Sequence, residues 1–165
     1  MNKRKQIQIR SLIKRVLTKI DMYSQDAENL IFGTGLIESN YDYLKQRNGG
    51  IARSWWQIEP GMTGAQDTIM NYLRYRSWLI TECAKAAYVP ESAFDRNISE
   101  EEISELLEYN ISYALIMCRL KYRRVPKKLP NTVSGMADYH KKYYNTVYGK
   151  SDPKEFIEKY ENAIK

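Results

Sequence analysis

Cysteine and histidine are scarce in this 165-residue chain, and their scarcity excludes several kinds of site. The two cysteines, Cys83 and Cys118, lie in apolar contexts and have no zinc-ligand spacing with the single histidine, His140. We therefore expect both cysteines to be reduced packing residues. No disulfide framework, metal site or other cofactor is expected.

Long apolar runs are also missing. The chain has no stretch of about 18 apolar residues and no apolar N-terminal segment, so neither a membrane span nor a signal peptide is expected. Phenylalanine is rare, with 3 residues against 14 tyrosines. Because tyrosine combines an apolar ring with a polar hydroxyl, this excess suits half-buried positions and the walls of a cleft for a polar, ring-shaped ligand.

Acidic residues are the minority among the charges. The chain has 26 Lys and Arg against 20 Asp and Glu, which gives a net charge of +6 with the histidine neutral. This balance favours an anionic partner, which could be nucleic acid, an anionic membrane surface or an acidic wall polymer. The charge alone does not choose between them.

Helical periodicity covers most of the chain and predicts an all-α or mainly α protein, with residues 1–165 forming a single domain. Residues 1–22 are expected to form a basic amphipathic helix packed on that domain. Residues 39–60 lack the pattern and are expected to be irregular or a short hairpin. Four further helices are expected from Ser24 to Glu38, from Gly61 and Thr63 to Val89-Pro90, from Ser99 through Cys118, and from Asn131 or Thr132 to Gly149. A last one begins at Asp152.

Glu38 is the candidate catalytic acid. It ends a largely apolar helix, where its carboxyl group should be partly shielded from water. Desolvation disfavours the charged form of a carboxyl group, as a general acid requires. An ordinary exposed glutamate at a helix end is the competing interpretation. Gly33 and Gly35 each cost the helix about 1 kcal/mol, so they predict the close approach of another backbone near the acid.

Four short motifs occur in a recognisable order. They are Glu38-Ser39, the segment 52–60 ending in Gln57-Ile58-Glu59-Pro60, Asn110-Ile111, and Met136-Ala137-Asp138-Tyr139. The series resembles that of lytic transglycosylases with the lysozyme-like fold, particularly phage-borne ones. Residues 139–146, followed by Gly149-Lys150, resemble the closing segment of the phage proteins. The resemblance spans Ile31 to about Tyr160.

Three departures from the family pattern lie close to the motifs. Ser54 stands where the family usually has glycine, and Trp55-Trp56 replaces the commoner Leu-Met pair, which predicts a bulkier cleft wall. His140 stands where an asparagine usually follows the tyrosine. That substitution removes any contact made by the asparagine and leaves the hydroxyl of Tyr139 available.

The resemblance implies a reaction and a set of site residues. Protonated Glu38 would cleave the β-1,4 bond between N-acetylmuramic acid and N-acetylglucosamine in peptidoglycan glycan strands. As carboxylate it would then take a proton from the C6 hydroxyl of the muramic residue and leave a 1,6-anhydro product. The N-acetyl group of the substrate can stabilise the oxocarbenium-like state, so a second carboxylate is dispensable. The implied substrate-binding residues are Ser39, Trp56, Gln57, Asn110 and Tyr139.

Two of these assignments have competing interpretations. Tyr139 would hydrogen-bond near the acetamido group or to Glu38 itself, but a core tyrosine with a satisfied hydroxyl fits its context equally well. One member of the Trp55-Trp56 pair would stack on a sugar while the other packs in the core. Gln57 would line the sugar groove.

The resemblance also implies a biological setting, and alternatives to the reaction stay open. The protein would be phage-encoded and would serve wall penetration or lysis. It would lie in the virion or tail, or pass from the host cytoplasm into the periplasm, and phage tail proteins would be a further partner.

A lysozyme would instead deliver water to the same bond, using Asp42 or Glu59 as second carboxylate. A non-catalytic basic helical module of a virion or for nucleic acid is the third alternative, although no helix-turn-helix spacing or aromatic RNA-binding motif supports it.

Overall fold

The computed structural model describes residues 1–62, 64–145 and 152–165, which fold mainly into helices. The predicted helical class is therefore confirmed. The α-helices are α1 (Lys3–Lys19), α2 (Gln25–Ser39), α3 (Asn71–Leu73), α4 (Ser77–Ala87), α5 (Glu100–Tyr109), α6 (Ile111–Arg123), α7 (Val133–His140) and α8 (Pro153–Ile164). A π-helical turn, Gln66–Met70, precedes α3, and another, Lys141–Asn145, continues α7. Short 3-10 helices cover Arg47–Gly49 and Glu91–Phe94. No helix in the described ranges is long and apolar enough to cross a membrane.

Several helices begin where the sequence predicts. The Ser24 hydroxyl accepts a hydrogen bond from the Ala27 amide at 3.0 Å, and the Thr132 hydroxyl caps α7. Ser99 forms a reciprocal capping box with Glu102, and the Asp152 carboxylate caps α8 ahead of a proline at its first position. Caps of this kind depend on contacts within a single turn, so the local sequence is enough to predict them.

Two predicted helices are broken in the structure. The helix expected from Gly61 to Val89 is interrupted between α3 and α4, and the predicted restart at Thr63 lies outside the described residues. The helix expected from Ser99 through Cys118 is in fact α5 and α6, because Asn110 between them is extended, with φ −114° and ψ 97°. The apolar pattern continues across both breaks, so periodicity alone does not reveal them. The predicted end at Gly149 also lies among undescribed residues.

Helix α6 lies at the centre of the fold. Every residue from Tyr113 to Leu120 is buried, including the charged Arg119, so the helix is enclosed on all sides. Helices α1, α2, α4 and α5 pack against it, and α8 packs on α2 and α7. The buried apolar residues form one cluster that runs from Ile9 in α1 to Ala163 in α8. This core holds the end of α2 beside α7.

The segment after α2 is irregular, as predicted, and folds back beneath the helix. It contains two isolated antiparallel bridges, Lys45 with Arg53 and Arg53 with Ile58. The indole nitrogen of Trp56 donates a hydrogen bond to the Ile31 carbonyl at 3.0 Å and so attaches the segment to α2. The Tyr41 ring packs edge-on against the rings of Trp55 and Trp56.

The two glycines of α2 make room for aromatic rings. A Cβ atom at Gly33 would collide with the Phe156 ring, and one at Gly35 would collide with the Tyr41 ring. The prediction that another backbone approaches here is therefore wrong. Side chains that arrive from α8 and from the segment after α2 occupy the space, and a glycine in the sequence does not distinguish the two causes.

Candidate active site

Glu38 lies in the last turn of α2, and the residue that follows this helix, Asn40, has a left-handed conformation with φ 54°. Its neighbours Ile37 and Ser39 are buried, whereas the Glu38 side chain is 19% exposed. The Tyr43 hydroxyl donates a hydrogen bond to the Glu38 backbone carbonyl at 2.8 Å and fixes the helix end. The carboxyl group therefore lies at the edge of the core, partly shielded from water.

His140 contacts this carboxyl directly. Its Nε2 atom lies 2.9 Å from Glu38 Oε1, and the His140 side chain is 2% exposed. The imidazole stacks on the Tyr144 ring at a centroid distance of 5.4 Å and contacts the Phe156 ring at 5.5 Å. Since both rings restrict the imidazole, it orients the Oε1 atom of Glu38. Across residues 1–62, 64–145 and 152–165, the other carboxylate oxygen, Oε2, has no hydrogen-bond partner.

Lys121 supplies a positive charge in the same region. Its ammonium nitrogen lies 3.9 Å from the centroid of the Tyr144 ring. Burial lowers the pKa of Lys121, and the charges of Glu38 and Glu59 oppose that shift. Burial also raises the pKa of the Tyr144 hydroxyl. The nearby thiol of Cys118 and the charge of Glu38 raise this pKa further. This hydroxyl donates to the Trp56 carbonyl at 2.6 Å, so it acts as a fixed support for the pair.

The Glu38–His140 pair is suited to moving a proton. An imidazole nitrogen accepts a hydrogen bond in one tautomer and donates one in the other, so His140 can bond both to a carboxylic acid and to a carboxylate. A carboxylic acid can give its proton to a bound oxygen atom, and the resulting carboxylate can later accept one. The positive charge of Lys121 would stabilise that carboxylate. The arrangement thus provides one acid and base with a fixed orientation.

His140 is the contact that the sequence did not predict. Its position directly after the motif residue Tyr139, where the family usually has asparagine, marked it as unusual. The family pattern did not indicate that it contacts Glu38. The expected bond from Tyr139 to Glu38 is absent, and the Tyr139 hydroxyl is buried with no partner among the residues that the structure describes. The Tyr139 ring packs against those of Tyr122 and Tyr143.

The structure contradicts the prediction that Trp56 binds a sugar. Its ring is fully buried, so no face is available for stacking. Trp55 is only half-buried and is the member of the pair that retains exposed surface. Ser39 is buried as well, and its hydroxyl donates to the Trp55 carbonyl at 2.7 Å and accepts from the Tyr41 amide. Ser39 therefore connects the end of α2 to the segment that follows it.

Asn110 and Gln57 make contacts within the protein. The Asn110 amide nitrogen donates to the Ala87 carbonyl at 2.8 Å, and its oxygen caps α6 by accepting from the Tyr113 amide at 2.9 Å. These bonds give Asn110 a structural role, and its assignment to substrate binding stays a prediction. Gln57 is half-buried, has a φ of 47°, and donates from its side chain to the Ser54 carbonyl at 2.6 Å.

The two candidates for a second carboxylate differ in their surroundings. Asp42 pairs with the Lys5 ammonium at 3.0 Å and accepts a hydrogen bond from Asn40; the bond from Lys5 lowers the pKa of Asp42. Glu59 is exposed, and its charge, like that of Glu38, raises the pKa of Lys121. Unlike Asp42, Glu59 forms no ion pair within the described residues.

Two cavities, of about 550 and 520 Å³, lie beside α5, and Glu38 lines neither of them. The first is lined mainly by residues 90–98 and α5, and the second by α5 together with Lys45, Ile51, Arg53 and Pro60. None of the predicted site residues contributes to either lining. Within the described ranges, no group of three or more His, Cys, Asp or Glu side chains could hold a metal ion.

Comparison of the chain with protein-family models, with curated proteins and with solved structures gives no match. The resemblance to lytic transglycosylases therefore rests on the ordered motifs alone.

Proposed function

We propose that the protein is a lytic transglycosylase with a lysozyme-like fold, which cleaves the bond between N-acetylmuramic acid and N-acetylglucosamine in peptidoglycan. The observation that carries the proposal is the Glu38 carboxyl group at the end of a buried helix, 19% exposed and held through Oε1 by His140. The ordered motifs supply the substrate class and the reaction.

In this mechanism Glu38 acts twice. Its protonated form donates to the glycosidic oxygen as the bond breaks, and its carboxylate then accepts the proton of the C6 hydroxyl that closes the 1,6-anhydro ring. His140 keeps Oε1 in place, which leaves Oε2 to face the substrate. Lys121 stabilises the carboxylate between the two steps. The N-acetyl group of the substrate supports the positive charge that develops on the sugar.

Substitution of Glu38 tests the assignment. Glu38→Gln is isosteric and cannot carry the proton, so we expect the rate of peptidoglycan cleavage to fall by about 10²- to 10⁴-fold with little change in the thermal unfolding midpoint. The matched controls Asp42→Asn and Glu59→Gln should retain substantial activity. If Glu38→Gln keeps activity within about tenfold of the parent, the acid is another residue, and Glu59 is the first to test.

A hydrolytic lysozyme is the second candidate, because the charges of Glu59 and Glu38 both raise the pKa of Lys121. In that reaction Glu59 would activate a water molecule while Glu38 donates the proton. Loss of activity in Glu59→Gln as complete as in Glu38→Gln, together with reducing muramic ends in the products of the parent, would favour this candidate.

The proposed setting is a phage protein that opens the bacterial wall during penetration or lysis. Peptidoglycan strands are the proposed partner, and phage tail proteins would be a further one if the protein is carried in the virion. This setting follows from the motif series and from the closing segment that resembles phage proteins.

A further inference from the structure

Arg119 is a buried cation in α6 and is 8% exposed. Among the residues that the structure describes, its buried Nε and Nη1 atoms have no hydrogen-bond partner. No ion pair joins it to a carboxylate in the part of the chain that the structure describes. A buried guanidinium normally has a paired anion, because removing an unpaired charge from water is costly.

A second buried donor comes from α7. The Tyr139 hydroxyl is buried and has no partner among the described residues, and the Tyr139 ring lies 5.8 Å from that of Tyr122, three residues after Arg119 on α6. The charge of each group also shifts the pKa of the other. Burial lowers the pKa of Arg119, and the charge of Arg123, one helical turn further along, lowers it again. Arg123 is exposed at the surface. Arg119 and Tyr139 thus hold three buried donor atoms, Nε, Nη1 and the hydroxyl, that have no acceptor among the residues that the structure describes.

We propose that Arg119 and Tyr139 form a binding site for a small oxyanion, a carboxylate or a phosphate, with Arg123 at its rim. A guanidinium carries only hydrogen-bond donors, and the oxygen atoms of these anions are its natural acceptors. Arg119 and Tyr139 each keep 8% of their surface exposed, although the unpaired donor atoms themselves are buried. The anion would supply both the missing charge and the missing acceptors.

The site does not depend on catalysis by Glu38. It includes no residue that bonds to the Glu38 carboxyl group, and binding can be measured in the absence of any glycan. A carboxylate on a glycan or peptide and a phosphate on a wall polymer share the required chemistry. Tyr139 directly precedes His140, so the anion would bind one residue from the side chain that holds Glu38.

The first test is the thermal unfolding of the full chain in sodium chloride, sodium acetate and sodium phosphate at equal ionic strength. We expect phosphate, acetate or both to stabilise the parent, by about 3–6 °C at ten times the dissociation constant. Arg119→Met should lose this response. It should also be at least as stable as the parent in chloride, because it removes an uncompensated buried charge while keeping an unbranched apolar stem. The exposed Arg96→Met is the matched control and should respond like the parent.

Calorimetric titration with phosphate and with acetate provides the second measurement and shows which anion the site prefers. Tyr139→Phe removes a single hydroxyl and should weaken binding by about 2- to 10-fold, whereas Tyr109→Phe at an exposed position should not. Phosphate stabilises proteins generally, so the thermal shifts are interpreted only as differences between the parent and its variants.

Absence of saturable binding of either anion to the parent overturns the proposal. An unchanged thermal response in Arg119→Met or an unchanged affinity in Tyr139→Phe also overturns it. If Arg119→Met does not fold, the titrations of the parent and of Tyr139→Phe decide the question.

Discussion

Glu38 and His140 are 102 positions apart in the chain, and their contact is the most informative feature of the molecule at the scale of single residues. If the pair serves catalysis, His140 is a positioning residue, because it contacts the acid and not the substrate. If the pair serves stability alone, its removal should affect unfolding and activity together.

Two substitutions of His140 separate these roles. His140→Gln keeps an N–H group near the position of the imidazole Nε2 that can donate to Glu38, whereas His140→Phe keeps an aromatic ring and removes the hydrogen bond. A hydrogen bond to a charged group contributes about 1.5–3 kcal/mol, so we expect His140→Phe to lower kcat/KM by about 10- to 150-fold and His140→Gln to lower it less.

The pH dependence of kcat/KM, measured beside the unfolding midpoint, shows whether the effect is on the acid. A positioning role predicts a changed profile in His140→Phe at near-parental stability. Equal activity and equal pH profiles for the two variants would contradict it.

At the scale of the element, Asn110 divides what the apolar pattern presents as one helix. Its side chain caps α6 and also donates to the last residue of α4. We expect Asn110→Ala to destabilise the protein by about 1–2 kcal/mol, the usual cost of a lost cap. Chemical denaturation measures the change, and the exposed Asn131→Ala in the loop before α7 is the control. If Asn110→Ala weakens substrate binding at unchanged stability, Asn110 is a binding residue and not a structural one.

The elements also show which features a single sequence can predict. Ser24, Ser99 and Asp152 identify helix starts correctly, because each caps a helix through contacts with residues two or three positions away. The class of the fold follows from the same local periodicity.

Features that depend on distant contacts were missed. The ring of Trp56 is enclosed by α2, the Gly35 position faces the Tyr41 ring, and Glu38 meets a histidine from α7. The sequence therefore placed the candidate acid at a buried helix end and did not predict its partner. It also predicted a tryptophan in the sugar site that the fold encloses, since burial of an aromatic ring is decided by neighbours far along the chain.

At the scale of the whole molecule, the net charge of +6 should attract the protein to an acidic wall. Exposed cations are spread over α1 and the end of α6, and they include Lys3, Arg4, Lys14, Arg15, Arg123, Lys127 and Lys128. Attraction between exposed charges is screened over a Debye length of about 10 Å at 0.1 M salt. We therefore expect added salt to slow the cleavage of intact wall more steeply than the cleavage of a short neutral glycan.

Initial rates on the two substrates, measured from low to moderate ionic strength, test this expectation. Equal salt sensitivity would contradict a role for the charge in wall attraction. Tight, sequence-selective binding of DNA at physiological salt would instead support the non-catalytic alternative.

Mass analysis of the products tests the central claim most directly. Purified peptidoglycan is digested with the parent protein and, in parallel, with Glu38→Gln, and the released muropeptides are weighed. A lytic transglycosylase leaves 1,6-anhydromuramic ends, which are lighter by one water than the ends left by hydrolysis. We predict anhydro products with the parent and a loss of products with Glu38→Gln. Reducing muramic ends, or no release of muropeptides by the folded parent, would contradict the account.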